Sequence, residues 1–356
     1  MKKIICLIDS LVSGGAQRQI VGLACLLKKR GYDVSIMTYH NIPFYASILE
    51  ENNVRHILVR NATNLLCRIP YIYQALKRHS PDVVISFLDV PNIIACMCKQ
   101  MGLRYKLIVS ERNTTQCFSR VERFKFHLYR MADVIVPNSY TQTKFIEKYY
   151  PRYKNKLTTI TNCAETDLFV PNEYVPKEYN TVLCVGRVTP QKNIIRFIKA
   201  VTLARTEGLD ITVKWFGRHD KEYYEECKQV ITQNRLQEHF LFYDASQDIC
   251  SEYQRAEVFC LPSIFEGFPN VVGEAMCCGL PVLCSDVCDN HILVAHGYNG
   301  LLFDPLDIES ISNALISFFK MRQEDKMNMS RRSRGRAIEL LNKEVFINRY
   351  LDIIER

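Results

Sequence analysis

The chain has 356 residues, with 46 Lys and Arg against 38 Asp and Glu, and is 47% hydrophobic and 24% charged. That length supports two domains with full cores, and the balance is that of a soluble globular protein. No apolar run approaches the ~20 residues a membrane helix needs, which argues against a helical membrane-spanning protein.

The opening stretch MKKIICLIDSLVSGG imitates a secretion signal, but Asp9 interrupts the apolar run early and no small-residue cleavage site follows. Residues 4–11 read instead as a continuous apolar strand of the kind buried in parallel sheets. A Gly-rich turn holding Gly14 and Gly15 comes next, then a helix over about 16–29. This is the start of a doubly wound unit, although the turn lacks the G-x-G-x-x-G dinucleotide pattern. The two glycines either make a tight turn or let the backbone approach a phosphate. Further strands are expected at 33–39, 54–60, 82–88, 106–110, 133–137 and 156–161, with helical stretches between most of them. Alternation of this kind predicts a parallel sheet covered on both faces.

The predicted domains are residues 1–165, a linker over 166–180 that holds Pro171 and Pro176, a second α/β domain over 181–335, and terminal helices over 336–356. Strands in the second domain are expected at 181–185, 211–216, 240–243, 257–261, 281–284 and 300–303. Charge divides unevenly, at +12 for residues 1–170 and −4 for the remainder. A basic first half points to an anionic partner, such as a membrane surface, a lipid pyrophosphate or nucleic acid, or simply to solvated charge. The stretch Cys117–Met131 mixes Arg120, Arg123, Lys125 and Arg130 with Phe118, Phe124, Phe126 and Tyr129. As a helix it suits an anionic bilayer surface, or else covers the sheet with an aromatic face inward and a basic face outward. The 15 cysteines include no C-x-x-C pair and fall mostly in apolar stretches, which reads as reduced thiols in a cytoplasmic protein.

Two stretches of the second domain carry chemistry. In PSIFEGFPNVVGEAMCCGLP, from Pro262, Glu266 sits on a loop, Pro269 suits a first helical position, and a helix over about 270–278 carries Glu274. The unpaired N–H groups of that helix start attract anions. A sugar nucleotide fits the arrangement, with its pyrophosphate at the helix end and its hydroxyls on the two carboxylates. The bland alternative is a strand–turn–helix with two solvated glutamates. In VLCVGRVTPQKN, Arg187 and Lys192 follow a strand end, where phosphate-binding cations of such sheets lie.

The packed string EGFPNVVGEAMCCGLPV, together with G-R and then P-Q-K-N, resembles glycosyltransferase family 4, retaining enzymes of the GT-B fold. The resemblance implies an α/β architecture of two Rossmann-like doubly wound domains facing a cleft. It implies transfer of a hexose or N-acetylhexosamine from a nucleotide-sugar donor, of the UDP type, to a glycan or polyprenyl-diphosphate-linked acceptor in surface polysaccharide synthesis. Carried over residue by residue, Arg187 and Lys192 bind the diphosphate and Glu266 serves the donor sugar. Glu274 takes the ribose hydroxyls, the backbone of Gly267, Phe268, Pro269, Asn270 and Val271 lines the donor, and Gly14 and Gly15 face it. No D-x-D occurs, so neither a metal nor another cofactor is expected. The resemblance places the protein in the cytoplasm, peripheral on the inner face of the membrane, and no nucleic-acid motif is present. A UDP-N-acetylglucosamine 2-epimerase of related fold and a non-catalytic glycan binder are the alternatives. The chain departs from the family pattern at Glu111–Arg112–Asn113, where many relatives carry a His, around Tyr243–Ser246, where the base is expected, and around Asp289.

Overall fold

The computed structural model describes residues 1–60, 64–115, 119–246 and 248–356. The chain forms two compact units, Met1–Asn162 with Glu344–Arg356, and Cys163–Lys343. In the first unit the strands are β1 (Lys3–Leu7), β2 (Asp33–Thr38), β3 (Arg55–Leu58), β4 (Val83–Phe87), β5 (Lys106–Glu111) and β6 (Val134–Pro137). Those of the second are β7 (Thr181–Val185), β8 (Thr212–Phe216), β9 (Phe240–Tyr243), β10 (Val258–Leu261), β11 (Val282–Ser285) and β12 (Gly300–Phe303). The orders are β3-β2-β1-β4-β5-β6 and β12-β11-β10-β7-β8-β9. Every recorded pairing is parallel.

Helices cover both faces of each sheet, so the central strands are apolar throughout, as VVISF in β4 and VFCL in β10 show. In the first unit Ile5, Leu7, Val84 and Leu107 pack with Ile94 and Phe126 from the covering helices. In the second, Trp215 of β8 stacks on Phe240 of β9 and meets Phe197 edge-on, on one face of the sheet. On the opposite face lie Leu183, Phe259 and Met276. Among the described residues no helix is long and apolar enough to cross a membrane.

One expected strand does not form. Residues 151–156 make a 3₁₀ turn, and the chain beyond meets β6 only through a single bridge, Ile135 to Leu157. Thr158 and Ile160 donate their N–H groups to Ile135 and Pro137 at 3.0 and 3.1 Å. Pro137 has no N–H to give back, so the next rung of a parallel ladder cannot close.

The stretch expected as a linker belongs to the second unit. Phe169 is buried in that unit's core. Arg334 donates to the Phe169 and Thr166 carbonyls at 2.9 and 3.1 Å, and Gln254 to the Val170 carbonyl at 2.9 Å. The helix Gln323–Leu340 is likewise part of the second unit, and the chain returns to the first at Glu344. There the helix Lys343–Glu355 buries Phe346, Ile347, Tyr350, Ile353 and Ile354, and its Glu355 pairs with Lys2 at 2.7 Å.

Candidate active site

Each sheet reverses the direction of its connections between its first and fourth strands, at β1/β4 and at β7/β10. Ligands of doubly wound sheets bind outside the carboxyl ends at such a switch point. In the second unit the loops leaving β7 and β10 are the two stretches that carry chemistry, seventy-odd residues apart in sequence.

Four polar contacts tie these loops together. The Ile264 N–H donates to the Gln191 carbonyl, and the Gln191 side-chain amide donates to the Phe265 carbonyl, both at 2.9 Å. Asn193 takes a left-handed conformation (φ 59°), which Asn tolerates better than most residues. From there its amide reaches the Pro262 carbonyl at 3.0 Å and the Pro305 carbonyl, beyond β12, at 2.7 Å. Lys192 Nζ donates to Glu266 Oε1 at 2.5 Å, with both side chains largely buried. The lysine stem runs across Gly186, where an added Cβ would lie 3.0 Å from Lys192 Cε. Arg187 is exposed and makes no hydrogen bond or ion pair among the described residues.

The helix Asn270–Cys277 starts with Pro269 as its N-cap rather than in the first helical position, because Pro269 keeps an extended ψ of 110°. No side chain caps this end and its first turn holds no acid, so the positive end of the helix carries no neutralising carboxylate. Glu274 is buried on this helix and accepts from the Tyr253 hydroxyl at 3.1 Å. The run of small residues is explained by packing: a Cβ on Gly273 would come within 2.7 Å of Leu341 Cδ1. Arg334 closes the helix's other end at the Cys277 carbonyl, 2.7 Å away. Phe268 is buried beneath the loop, and Gly267, Asn270 and Val271 are half-buried along it.

In the first unit the chain leaving β1 passes Asp9, whose Oδ1 accepts from the Ser10 N–H at 2.6 Å and from Gln17 Nε2 at 3.0 Å. Gly14 caps the helix Gly15–Lys29, which has no acid in its first turn. A Cβ on Gly14 would lie 2.4 Å from Gln17 Oε1, so the glutamine amide folded back over the helix start would have to swing aside for any larger residue. Beyond β4, Leu88 holds φ at 76°, a costly conformation for a branched residue, and presents Asp89 at the start of the next helix.

Beside this edge lies a buried charged network. Lys125 Nζ contacts carboxylates of Glu111 at 2.9 Å, Asp89 at 3.0 Å and Glu122 at 2.9 Å. Those three carboxylates outweigh burial and raise the Lys125 pKa, so the ammonium stays charged. Glu111 also accepts from the Tyr129 hydroxyl, while Arg112 lies over the Phe87 ring at 4.4 Å and donates to Asn162. The Glu111–Arg112 pair, whose role the family pattern leaves open, thus anchors the end of β5. This also corrects the expected basic surface. The helix is Arg120–Leu128, followed by a 3₁₀ turn, and Lys125, Phe126 and Tyr129 are buried. The exposed residues are Arg120, Val121, Arg123, Phe124, His127 and Arg130, and the expected Cys117 and Phe118 lie outside the described residues.

The structure therefore brings Lys192, Glu266 and the loop Gly267–Val271 together in one unit, with Glu274 on the adjoining helix and Arg187 on the adjoining loop. Gly14 and Gly15 lie in the other unit. Sequence reasoning missed Asn193 and Gln191, which bind the loops to each other, and Tyr253, Gln17 and Lys125, which hold carboxylates. Only P-Q-K-N carries a local signal, and it reads through Lys192 as a diphosphate ligand, not as a tie between the loops. Among the described residues no group of three His, Cys, Asp or Glu is arranged to hold a metal ion.

Residues 13–168 match the family model for Glycosyltransferase Family 4, and residues 167–336 that for Glycosyl transferases group 1. The chain is 29% identical over 285 residues, 78% of its length and 77% of the relative's, to a Campylobacter jejuni GalNAc-alpha-(1->4)-GalNAc-alpha-(1->3)-diNAcBac-PP-undecaprenol alpha-1,4-N-acetyl-D-galactosaminyltransferase. It is 25% identical over 304 residues, 80% of its length and 81% of the relative's, to the N-acetylgalactosamine-N,N'-diacetylbacillosaminyl-diphospho-undecaprenol 4-alpha-N-acetylgalactosaminyltransferase of the same organism. In fold it resembles Anabaena HepE in complex with UDP and glucose, with a TM-score of 0.88 at 18% identity over the whole of both chains. The chain belongs to glycosyltransferase family 4 and is a glycosyltransferase of the GT-B fold.

Proposed function

We propose that the enzyme moves a hexose or N-acetylhexosamine from a UDP-sugar to a polyprenyl-diphosphate-linked or oligosaccharide acceptor, with retention of configuration, during surface polysaccharide synthesis. The observation that carries this reading is the Lys192–Glu266 contact beside Arg187 and an uncapped helix start, all at the second unit's switch point. The named relatives that act on undecaprenyl-diphosphate-linked sugars support the acceptor class.

Arg187 and Lys192 bind the diphosphate, and the N–H groups at Asn270 and Val271 add donors. Glu274, oriented by Tyr253, takes the ribose hydroxyls, and Glu266 takes a hydroxyl of the sugar while holding Lys192 in place. Tyr243, exposed and stacked on Phe216 at 4.7 Å between ring centres, offers the base a flat surface.

In the transfer the bond from C1 to the β-phosphate oxygen breaks, and its electron pair stays on the departing UDP. Fixed cations stabilise that charge without reorganising at the moment of reaction. The acceptor hydroxyl oxygen attacks C1 from the face the diphosphate leaves, and its proton passes to the departing phosphate oxygen. No enzymic nucleophile is needed. Two cations and a helix end replace a metal, and the protein works in the cytoplasm, peripherally on the inner face of the membrane.

The test is a UDP-sugar screen, run with and without a polyprenyl-diphosphate-linked glycan, in EDTA. Acceptor-dependent UDP release is expected, with the donor's anomeric configuration kept in the product. A strict need for Mg²⁺ or Mn²⁺ would refute the metal-free mechanism. Conversion of the UDP-sugar into its 2-epimer without an acceptor would point instead to an epimerase.

A further inference from the structure

The first unit carries a basic groove at the amino ends of β5 and β6, the end of the sheet opposite its switch point. A cavity of about 590 Å³ lies between Lys106 and Val134 at the strand starts, Lys156 at the end of the 3₁₀ turn and Thr158 beyond it, and Ile353 of the last helix with Arg356 just past it. A second, of about 390 Å³, shares Thr158, Ile353 and Arg356 and continues the groove to Arg349.

Four cations therefore line one channel, and the acids beside them are Asp133, Asp352 and, acting on Lys106, Glu355, which pairs with Lys2. Asp133 is already engaged, pairing with Lys99 and accepting the Leu107 N–H at 2.6 Å. Lys156 donates to the carbonyls of Arg130 and Ala132 at 3.0 and 2.7 Å, which fixes its position but leaves its charge uncancelled. Among the described residues Arg349 reaches only the Thr159 carbonyl, at 3.5 Å. Burial, and then the charge of Lys2, hold the Lys106 pKa below its ordinary value, as expected where cations gather without enough counterions.

We propose that this groove is a second anion site that takes a phosphate or diphosphate group, clamped between Lys106 and Lys156 on the body of the unit and Arg349 on its last helix with Arg356 just past it. Arginine forks and lysine ammoniums are the usual ligands of such groups. Thr158 and Asn155 add polar contacts, and Ile353 and Val134 give the ligand's carbon skeleton an apolar wall. The occupant joins the last helix to the sheet, so binding stabilises the first unit.

The experiment is calorimetric titration of the full-length protein with pyrophosphate in the presence of saturating UDP, which removes the donor site from the reading. One further site is expected. The double substitution Lys106→Gln/Arg349→Gln spares the carbonyl contacts of Lys156 and should weaken that site by about ten-fold or more, the effect of losing charged hydrogen bonds. Lys156→Gln is the second variant, with a thermal melt to report folding. Competition with vesicles separates the sources: displacement of pyrophosphate by phosphatidylglycerol but not phosphatidylcholine vesicles assigns a lipid headgroup, and no displacement assigns a soluble phosphate. The absence of pyrophosphate heat above saturating UDP, or heat unchanged in folded variants, overturns the proposal. Failure of UDP itself to bind would count against the donor site instead, and the variant comparison with pyrophosphate alone would still decide the groove.

Discussion

The two units share one strand order and one switch point, yet they arm it differently. In the second unit the edge is made of short loops with their charges toward the front: Lys192 meets Glu266, and Arg187 and an uncapped helix start stand beside them. In the first unit the charges lie behind the edge, where Lys125 is ringed by Glu111, Asp89 and Glu122 and is itself buried. The same topology thus holds one set of charges on the loops proposed to take the donor and another that maintains the edge itself. Charge at a switch point is therefore not by itself a sign of substrate binding; its depth and partners decide.

The largest effect expected from this difference is on stability, in the first unit. Lys125→Met leaves Glu111 buried without its cation, a loss of about 3–5 kcal/mol in unfolding free energy. Adding Glu111→Gln to it should recover part of that loss, because the stranded charge is then gone. Chemical denaturation of the three proteins checks both statements. A Lys125→Met protein as stable as the parent would mean that the network carries no structural load, and the contrast between the units would fail.

Next in size are effects on transfer, in the second unit. Lys192→Ala and Glu274→Ala each remove a charged hydrogen bond to substrate, worth roughly 1.5–3 kcal/mol, so the transfer rate should fall about ten-fold or more. The melting temperature should move far less than in Lys125→Met. Parental turnover in either variant would undo the donor-site assignment.

The loop and helix after β10 were legible because their residues are close in sequence. EGFPN and GEAM lie on one strand–loop–helix, and each of their roles is local. The fold was legible for a similar reason, since buried parallel strands are apolar runs that need no partner to be recognised. The first unit's network was not. Lys125 lies fourteen residues after Glu111 in a stretch with helical spacing and many basic residues, and nothing local distinguishes the one lysine that turns inward. Reading it as a basic surface residue was the error of treating charge as exposure. The missing strand at 156–161 is a pairing failure set by Pro137, twenty residues away, and β-propensity alone cannot see it.

The corrected helix surface gives a smaller expected effect. With Lys125 removed from it, the exposed face of Arg120–Leu128 pairs Arg120 and Arg123 with Val121 and Phe124, which are 66% and 51% exposed. Cations and apolar side chains on one outward face suit an anionic bilayer, at on the order of 1 kcal/mol per cation. Arg120→Ser/Arg123→Ser should lower binding to phosphatidylglycerol vesicles several-fold at low salt, and Val121→Ser/Phe124→Ser should lower it at any salt. Sedimentation with vesicles measures both. Equal binding by all variants would leave the helix as a cover for the sheet.

The smallest expected effect is a pH dependence confined to the first unit. His56 lies on β3, half-buried, with its Nε2 2.8 Å from Thr38 Oγ1. Burial holds its pKa below the ordinary value of 6.5. The folded protein then binds fewer protons than the unfolded chain as the pH falls through that value. Stability must rise with pH wherever the unfolded state binds more protons, so acidification costs stability. His79 is lowered too, by burial first and then by Arg55, Lys3 and Arg78, and it adds in the same direction. Between about pH 7.5 and pH 5.5 the parent should therefore lose more stability than His56→Gln, whose amide keeps a polar partner for Thr38 but does not titrate. The second unit's edge should bind UDP with little change between the same pH values. Parallel denaturation curves for parent and variant at both pH values would show that His56 does not carry the dependence, and a UDP affinity that fell together with stability would show that the two edges are not independent.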